Sequence, residues 1–433
     1  MPVLTRRAAL VVAVASIAMI GARTWVGFAV INALLLLVAA VDWGLAPSPR
    51  RVAVERDLPD VVALDTVGSC AWQVTNPTNR RLVVDLADEL APSLRARARR
   101  VRLTVKARGA VEARTAFKPA RRGRFAIDAM AVRVHGPLGL VARQATRSLP
   151  GVLRVYPAFP SRDEAELRIN RARIIEVGLR TAQGRGGGTE FDQLREYTPD
   201  DELKRMDWAA TARAGKAIVR TYRPERNQTV ISLLDNGRVM AARVDDVPKV
   251  EHAMDAVMAL TMVATRLGDR AGLVAFDRQV RSVVPPGHGR AQLGRVTESM
   301  YDLEPDLSES DYLGAFTETL ARFRRRAMIV LLTDLLEQAV QENLVPALPL
   351  VVRHHVMVVA SVQDPAVVGW ARGRPELDEE AYRKVAAIEA LEERRRVTAK
   401  LQGLGVTVID SPPHLLGAQL ADAYLRVKAT GRL

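Results

Sequence analysis

The hydrophobic pattern of the chain changes its period near residue 228, and this change constrains the fold more than any other feature. Between residues 51 and 150, apolar and polar residues alternate, as in Ala71–Asn76. Such alternation predicts strands with one buried face. From Gln228 onward, continuous apolar runs such as 230–234 and 328–332 alternate with helical patterns. These runs predict parallel strands that helices cover on both faces.

Two apolar runs precede the alternating region and predict a membrane anchor. Ala8–Ile20 and Trp25–Val41 carry no charge, and a short segment containing Arg23 separates them. We interpret the pair as a transmembrane helical hairpin. Arginines flank both outer ends, among them Arg6 and Arg50, so the positive-inside rule puts both ends and the bulk of the chain in the cytoplasm. The alternative is a signal peptide, but no small-residue cleavage site closes the first run.

These patterns together predict a multi-domain chain of 433 residues. The hairpin would be followed by an antiparallel, Ig-like β-sandwich and by a doubly wound α/β domain, joined by a connector. The expected boundaries are 1–45 for the transmembrane hairpin, 46–150 for the β-sandwich, 151–227 for the connector and 228–433 for the α/β domain.

The chain is basic, with a formal net charge of +14, and part of the excess is local. Residues 95–124 hold 12 Lys or Arg against one acid, Glu112. Two interpretations stay open, namely solvated strands or attraction to the lipid bilayer surface. No nucleic-acid-binding motif is present, so nucleic acid is not expected as a partner. The single cysteine, Cys70, excludes an intrachain disulfide and a cysteine-based zinc site.

The stretch from Gly184 to Arg220 combines glycines, charges of both signs and aromatic residues. Its string Gly-Thr-Glu-Phe-Asp-x-Leu-Arg-Glu-Tyr, from Gly188 to Tyr197, is followed by Arg205 and by Asp207-Trp208. This pattern resembles the signature of a prokaryotic family known as domain of unknown function 58. Members of that family look like co-workers of MoxR-type AAA+ ATPases, so the resemblance implies an ATPase and a protein client as partners. We expect Trp208 to pack in a cleft between the connector and the α/β domain. The residues assigned to the signature or to partner contact are Gly188, Thr189, Glu190, Phe191, Asp192, Leu194, Arg195, Tyr197, Arg205, Asp207, Trp208 and Arg213.

The second half of the chain resembles a von Willebrand factor A domain. Such domains hold a divalent cation with Asp-x-Ser-x-Ser after the first strand, a Thr from a later loop and an Asp after the fourth strand. Here the first element reads Asp-Asn-Gly-Arg-Val from Asp235, so both serines are lost. The remaining candidate metal ligands are Asp235, Ser310, Asp311 and Asp334.

Three interpretations of this degenerate site stay open. The carboxylates could cap helices or pair with Arg238 without a metal, they could bind Mg²⁺ weakly, or they could use a metal in catalysis. Asp235 and Asp334 end neighbouring strands, so we expect their charges to need neutralising. We expect Arg238, or a basic residue of a partner, to do so, and no further cofactor.

Searches for catalytic motifs identify none. The chain lacks a Gly-x-x-x-x-Gly-Lys-Ser/Thr phosphate loop and a Gly-x-Ser-x-Gly elbow. We therefore expect a membrane-anchored, cytoplasm-facing adaptor without enzymatic activity of its own. Two other functions stay open: a hydrolytic or metal-dependent enzyme that uses Asp235, Asp311 and Asp334, and a structural protein of the cell envelope.

Overall fold

The computed structural model describes residues 2–22, 25–182, 190–199, 201, 203–223 and 227–430. The chain divides into two compact units, Met1–Tyr156 and Pro157–Leu433. The first unit includes the predicted anchor and sandwich, and the second includes most of the predicted connector and the α/β domain.

The first unit begins with strand β1 (Pro2–Leu4), helix α1 (Arg6–Ala22) and helix α2 (Trp25–Leu45). Within the described residues, one helical stretch, Trp25–Arg51, is long and apolar enough to cross a membrane. Helix α1 has 17 residues, which is at the lower limit for a span of about 20.

The rest of the first unit is rich in β-structure. The order in its largest sheet is β1-β10-β9-β5-β6, and two smaller sheets run β2-β4-β7 and β3-β11-β8. Pairing is antiparallel except between β3 and β11. The strands are β2 (Ala53–Asp57), β3 (Val61–Ala63), β4 (Gly68–Thr75), β5 (Leu82–Asp88), β6 (Arg100–Val105), β7 (Ala110–Phe117), β8 (Gly123–Ala126), β9 (Ala129–His135), β10 (Val141–Ser148) and β11 (Val152–Tyr156).

Alternating burial explains why these residues form strands. In β5 every second residue is buried, beginning with Leu82, and the buried set joins one hydrophobic core. Trp72 lies in that core, and its indole N–H donates to Asp88 at 2.7 Å. The alternation that predicted antiparallel strands is therefore the alternation of core and solvent faces.

The second unit begins with α3 (Arg162–Ala182), which packs on α5 and α13. A two-stranded antiparallel sheet and a short helix follow it. The elements of this unit, in order, are α3, β12 (Glu190–Glu196), α4 (Trp208–Ala214), β13 (Ile218–Arg223), β14 (Thr229–Asp235), β15 (Arg243–Val244), β16 (Val247–Pro248), α5 (Lys249–Arg266), β17 (Arg270–Phe276), β18 (Val280–Gly287), α6 (Arg290–Met300), α7 (Tyr312–Arg322), β19 (Met328–Leu332), α8 (Glu337–Ala339), α9 (Val345–Ala347), α10 (Pro349–Val352), β20 (Val356–Val362), α11 (Pro365–Arg372), α12 (Asp378–Gly403), β21 (Thr407–Ser411) and α13 (Pro413–Ala429).

The central sheet of this unit has the order β18-β17-β14-β19-β20-β21. Its strands are parallel except β18, which runs antiparallel to β17 at the edge. Successive residues of β14 belong to two different hydrophobic clusters, one on each face of the sheet. Leu234 packs in the first cluster and Leu233 packs in the second. Because both faces are buried, the strand reads as a continuous apolar run, as the sequence pattern indicated.

Three local features differ from the sequence-based expectation. The sequence pattern over 336–351 predicts one helix, but a π-helical turn at Val340–Leu344 interrupts it, next to Pro346 and Pro349, which lack an N–H. Strand β18 was missed because it contains Pro285 and Pro286, which an edge strand tolerates. Helix α11 was also missed, although its capping residue Asp364 precedes a proline at the first helical position.

The predicted connector contributes to both units. Its first strand, β11, pairs with β3 and β8 of the first unit. Helix α3 belongs to the second unit, where Arg168 pairs with Asp422 of α13 at 3.0 Å. Ser161, just before α3, donates its N–H to Asp255 of α5 at 3.1 Å. These buried and half-buried contacts make residues 157–182 part of the α/β unit.

Candidate functional site

The carboxyl ends of β14 and β19 meet at one edge of the central sheet. Ligands of open parallel sheets usually bind there, because helices cover the two faces. Asp235 is the last residue of β14, and Asp334 follows β19 by two residues. Both side chains are buried. This carboxyl edge is the candidate site.

Asp235 is fully enclosed and accepts four hydrogen bonds from uncharged donors. Its Oδ1 accepts from Ser310 Oγ at 2.5 Å and from the Gly237 N–H at 2.8 Å. Its Oδ2 accepts from Thr333 Oγ1 at 2.6 Å and from the Tyr312 hydroxyl at 3.0 Å. Burial raises the pKa of Asp235 above its ordinary value, and these hydrogen bonds oppose the rise only in part.

The glycine at position 237 makes this arrangement possible. A Cβ at position 237 would overlap Ser310 Oγ. The hydroxyl of Ser310 therefore occupies space that any larger residue at 237 would need. The glycine at this position and the bond between Ser310 and Asp235 are two parts of one packing arrangement.

Asp334 is neutralised by two cations from distant helices. Lys249 Nζ, at the start of α5, lies 2.6 Å from its Oδ2. Arg394, in the middle of α12, donates to its Oδ1 at 2.7 Å. Burial alone would raise the pKa of Asp334, but the charges of Arg394 and Lys249 outweigh burial and hold the pKa below its ordinary value.

Arg394 extends the contact to a second carboxylate. Its guanidinium also donates to both oxygens of Asp410, at 2.6 and 3.2 Å, and to Ser361 Oγ at 2.8 Å. Lys249, Asp334, Ser361, Arg394 and Asp410 form one network, the Asp334 cluster, which joins α5 and α12 to three strand ends. Two-point arginine–carboxylate pairs of this kind are directional and strong.

The four predicted metal ligands belong to three different sets of contacts in the structure. Asp235 and Ser310 are in contact, whereas Asp334 belongs to the Asp334 cluster. Asp311 caps helix α7 by accepting the N–H of Gly314 at 2.9 Å. Among the residues that the structure describes, no group of three or more His, Cys, Asp or Glu is arranged to hold a metal ion. Metal binding at this edge stays a prediction.

The expected pairing of Arg238 with Asp235 is wrong. The side chain of Arg238 is 52% exposed, and its guanidinium lies 3.4 Å from the carboxylate of Glu309, which is also exposed. The carboxylate of Asp235 instead accepts hydrogen bonds from three hydroxyls and one backbone N–H. The cavity between the loop of Arg238 and Tyr312 has a volume of about 20 Å³, enough for about one water molecule.

The signature segment forms a small subdomain of β12, α4 and β13. Asp207 caps α4 by accepting the N–H of Ala210 at 2.9 Å, and Arg220 of β13 pairs with it at 2.8 Å. Arg195 binds both oxygens of Asp201, at 2.7 and 2.5 Å, and lowers the pKa of Asp201 to about 2. The three acidic residues whose side chains are described in this segment, Glu196, Asp201 and Asp207, are therefore all ion-paired.

The prediction that Trp208 is packed in a cleft is wrong. Its side chain is 70% exposed at the start of α4. Leu194 is also exposed, Tyr197 is half-buried, and the guanidinium of Arg213 donates to the Ala209 carbonyl at 3.2 Å. Gly188 and Thr189 lie outside the described residues, and only the backbone is described for Glu190, Phe191, Asp192 and Arg205.

Sequence reasoning missed most of the residues that bind Asp235 and Asp334 at this edge. Lys249 and Arg394 lie 85 and 60 residues from Asp334. Tyr312 and Thr333 stand next to predicted ligands, but neither was singled out. The sequence does point to Thr333, because this hydroxyl residue directly follows the apolar run 328–332 and directly precedes Asp334.

Residues 193–400 match the model of a family described as "Protein of unknown function DUF58". Relatives in Mycobacterium bovis and in two strains of Mycobacterium tuberculosis are 26% identical over 182 residues and are described as uncharacterized proteins. The match covers 42% of this chain and 56% of each relative, so the chain spans little more than half the length of these relatives. They supply no activity that could be transferred.

Solved structures with a local likeness are small β-proteins. The CARDB domain of a Pyrococcus furiosus protein in complex with di-metal ions is 11% identical and aligns with 24% of this chain and 86% of its own, at a TM-score of 0.17. WR4, a C. elegans MSP family member, is 14% identical and aligns with 24% of this chain and 97% of its own, also at 0.17. Scores this low carry no argument about the fold or function of this chain.

Proposed function

We propose that this chain is a membrane-anchored binding protein whose α/β unit docks protein partners. The observation that carries the proposal is that both aspartates of the carboxyl edge already have internal partners. Asp235 is held by four uncharged donors, and Asp334 by Lys249 and Arg394. Groups engaged in this way hold the loops in a fixed shape, and a fixed shape favours binding because less order has to be gained on association.

The small cavity at this edge also supports binding over catalysis. An enzyme that used Asp235 and Asp311 would need a pocket that joins their two loops. The cavity beside Ser310 and Tyr312 holds about 20 Å³, whereas ligand pockets usually measure about 300–1,000 Å³.

Two contacts support an anchor that crosses the bilayer twice. Strand β1 pairs with β10, and the Thr5 N–H donates to the Leu140 carbonyl at 3.0 Å. Asp42, near the end of α2, accepts the N–H groups of Leu138, Leu140 and Val141 at 2.7, 2.8 and 2.8 Å. The start of α1 and the end of α2 are therefore held by the same loop. If α2 crosses the membrane, α1 has to cross it in the opposite direction.

The flanking charges give the orientation. Arg6 and Arg7 are the first two residues of α1, and Arg50 and Arg51 follow α2. The positive-inside rule puts this side, and with it the α/β unit, in the cytoplasm. A reporter fused after Leu433 tests the orientation: activity restricted to the cytoplasm supports it, and activity on the outer side of the membrane contradicts it.

The proposed partners are an AAA+ ATPase of the MoxR type and a protein client in the assembly of a complex. The resemblance of residues 188–213 to the family signature supports this choice, and so does the exposed indole of Trp208 within that segment. Tryptophan is enriched among the residues that dominate binding energy at protein interfaces. We infer that the α/β domain, which resembles a von Willebrand factor A domain, links the ATPase to its client.

Affinity purification from native membranes tests the proposal. The full chain, a Trp208→Ala variant and a control variant Leu167→Ala, which changes an exposed apolar side chain on α3, are purified under identical conditions. We expect an AAA+ ATPase to co-purify with the full chain and the control and to be depleted for Trp208→Ala. Recovery of no ATPase, or equal recovery with all three proteins, would contradict the proposal.

A further inference from the structure

Helices α11 and α12 enclose a groove of about 510 Å³ beside the carboxyl ends of β20 and β21. Gln363 and Asp410 close its inner end, and Arg394 of the Asp334 cluster forms part of its wall. Its size is within the range of ordinary ligand sites. The sequence-based expectations assigned no role to the residues of this α11–α12 groove.

The groove has an apolar floor that is open to solvent. Val368 and Ala371 line it from α11, and Ile388 and Leu391 line it from α12. Ile388 is 37% exposed, and further along α12 Tyr382 and Val385 are exposed as well. Apolar side chains gathered in a concave surface contribute affinity when a partner covers them.

The charged groups of the groove are unbalanced. Arg372, Arg394 and Arg395 line it together with one acid, Asp410. Arg394 already satisfies Asp410 through a two-point contact. Within the described residues, Arg372 and Arg395 make no ion pair, so two positive charges face the groove without an internal counter-charge.

The outer end of the groove is fixed in shape. The guanidinium of Arg383 lies 5.6 Å from the ring centroid of Trp370, which joins α12 to α11. Lys384 Nζ donates to the Gly373 carbonyl at 2.9 Å. With Arg394 anchored at the inner end, both ends hold the two helices apart before anything binds.

We propose that the α11–α12 groove binds a peptide segment that combines acidic and apolar side chains, in which a carboxylate pairs with Arg372 or Arg395. This inference rests on the proposed function, because it assigns the chemistry of a docked protein partner. The apolar floor accepts the apolar side chains, and the guanidinium groups accept the carboxylates through paired hydrogen bonds.

Fluorescence anisotropy tests the groove directly. The probe is a fluorescein-labelled peptide that repeats Leu-Glu-Ser-Ala, and its counterpart has Lys in place of each Glu. The full chain in neutral detergent is compared with the double variant Arg372→Glu, Arg395→Glu. The matched control Arg324→Glu, Arg325→Glu makes the same charge change in the loop between α7 and β19. Circular dichroism verifies that all three proteins are folded.

We expect the acidic peptide to bind the wild-type chain and the control equally. Its Kd for the groove variant should be about tenfold weaker or more, since charge-assisted hydrogen bonds are lost. No binding of the acidic peptide, equal binding of the lysine peptide, or equal weakening in both variants would overturn the proposal. The same arginine dependence for phosphatidylserine vesicles without peptide binding would also overturn it.

The failure of this inference is distinguishable from failure of the proposed function. If an AAA+ ATPase co-purifies with the groove variant as well as with the wild-type chain, and the peptide does not bind, the groove has no docking role. The binding function of the chain then stands on other surfaces.

Discussion

Ser310 Oγ lies 2.5 Å from Asp235 Oδ1, in space that a side chain at position 237 would enter. One hydroxyl thus satisfies a buried carboxylate, because the neighbouring residue is glycine. Gly237 has a φ of −85°, which any residue can adopt, so the requirement for glycine here is steric and not conformational.

Substitution of Gly237 tests this packing. We expect Gly237→Ala to destabilise the protein by about 1–3 kcal/mol, because the new Cβ displaces the Ser310 hydroxyl from a buried carboxylate. In a protein that already carries Ser310→Ala, this hydroxyl is absent, so Gly237→Ala should lower the free energy of unfolding by less than it does in the wild-type chain. The double variant is therefore expected to lose less stability than the two single losses together, as measured by urea denaturation. Strictly additive losses would show that the two positions are independent.

Removal of Arg394 tests the Asp334 cluster. Arg394→Met leaves the buried carboxylate of Asp334 and the half-buried carboxylate of Asp410 without their shared arginine, and we expect a loss of about 3–5 kcal/mol in the free energy of unfolding. Arg396→Met is the matched control on the same helix. Arg396 is 65% exposed and its nearest acid is 3.8 Å away, so a change below about 1 kcal/mol is expected. Similar losses for the two variants would contradict the role assigned to the cluster.

The buried carboxyl of Asp255 makes stability depend on pH. Burial raises its pKa to about 6, although Ser161 donates to both of its oxygens. The folded state therefore binds this proton more tightly than the unfolded state, whose pKa is about 3.9. The contribution of Asp255 to stability falls as pH rises from about 4 to about 6 and is constant above that.

Asp255→Asn should remove this contribution. We expect the variant to gain about 2–3 kcal/mol relative to wild type between pH 4 and pH 7, in unfolding experiments at a series of pH values. Glu389→Gln, on the exposed face of α12, serves as the control with the wild-type profile. A parallel profile for Asp255→Asn and wild type would show that this carboxyl is not the source.

Because Trp208 is exposed, we expect its substitution to have little effect on the stability of the folded protein. At 70% exposure, the side chain contributes little burial, so Trp208→Ala should lower the free energy of unfolding by less than about 1 kcal/mol. Trp72→Ala, which removes a core side chain that is 1% exposed, should cost about 3–5 kcal/mol. Thermal unfolding of the two variants decides the matter, and a large loss for Trp208→Ala would indicate that the indole is buried in solution.

The sequence allowed the parallel strands of the central sheet to be predicted because burial on both faces leaves a continuous apolar run, as in β14 and β19. The positions of Asp235 and Asp334 at strand ends followed from those runs. The partners of Asp334 could not be predicted in the same way. Arg394 stands in a run of three arginines, and only the packing of α12 on the sheet decides which of them turns inward.

The exposure of Trp208 was also beyond sequence reasoning. A large aromatic residue in a polar segment favours burial on average, because burying it lowers the free energy. The short helix α4 has seven residues and lies outside the central sheet, so it offers few faces for burial. Local pattern alone does not distinguish a core tryptophan such as Trp72 from an exposed one such as Trp208.

Titration calorimetry with Mg²⁺ and Mn²⁺ tests most directly whether internal partners occupy the carboxylates of Asp235 and Asp334 so fully that no cation binds there. Asp235 already accepts four hydrogen bonds, and Asp334 is paired with Lys249 and Arg394. We therefore predict no binding of either ion at micromolar concentration to the full chain in detergent. Micromolar affinity that Asp235→Ala abolishes would contradict the account, because it would show that a cation displaces these internal partners.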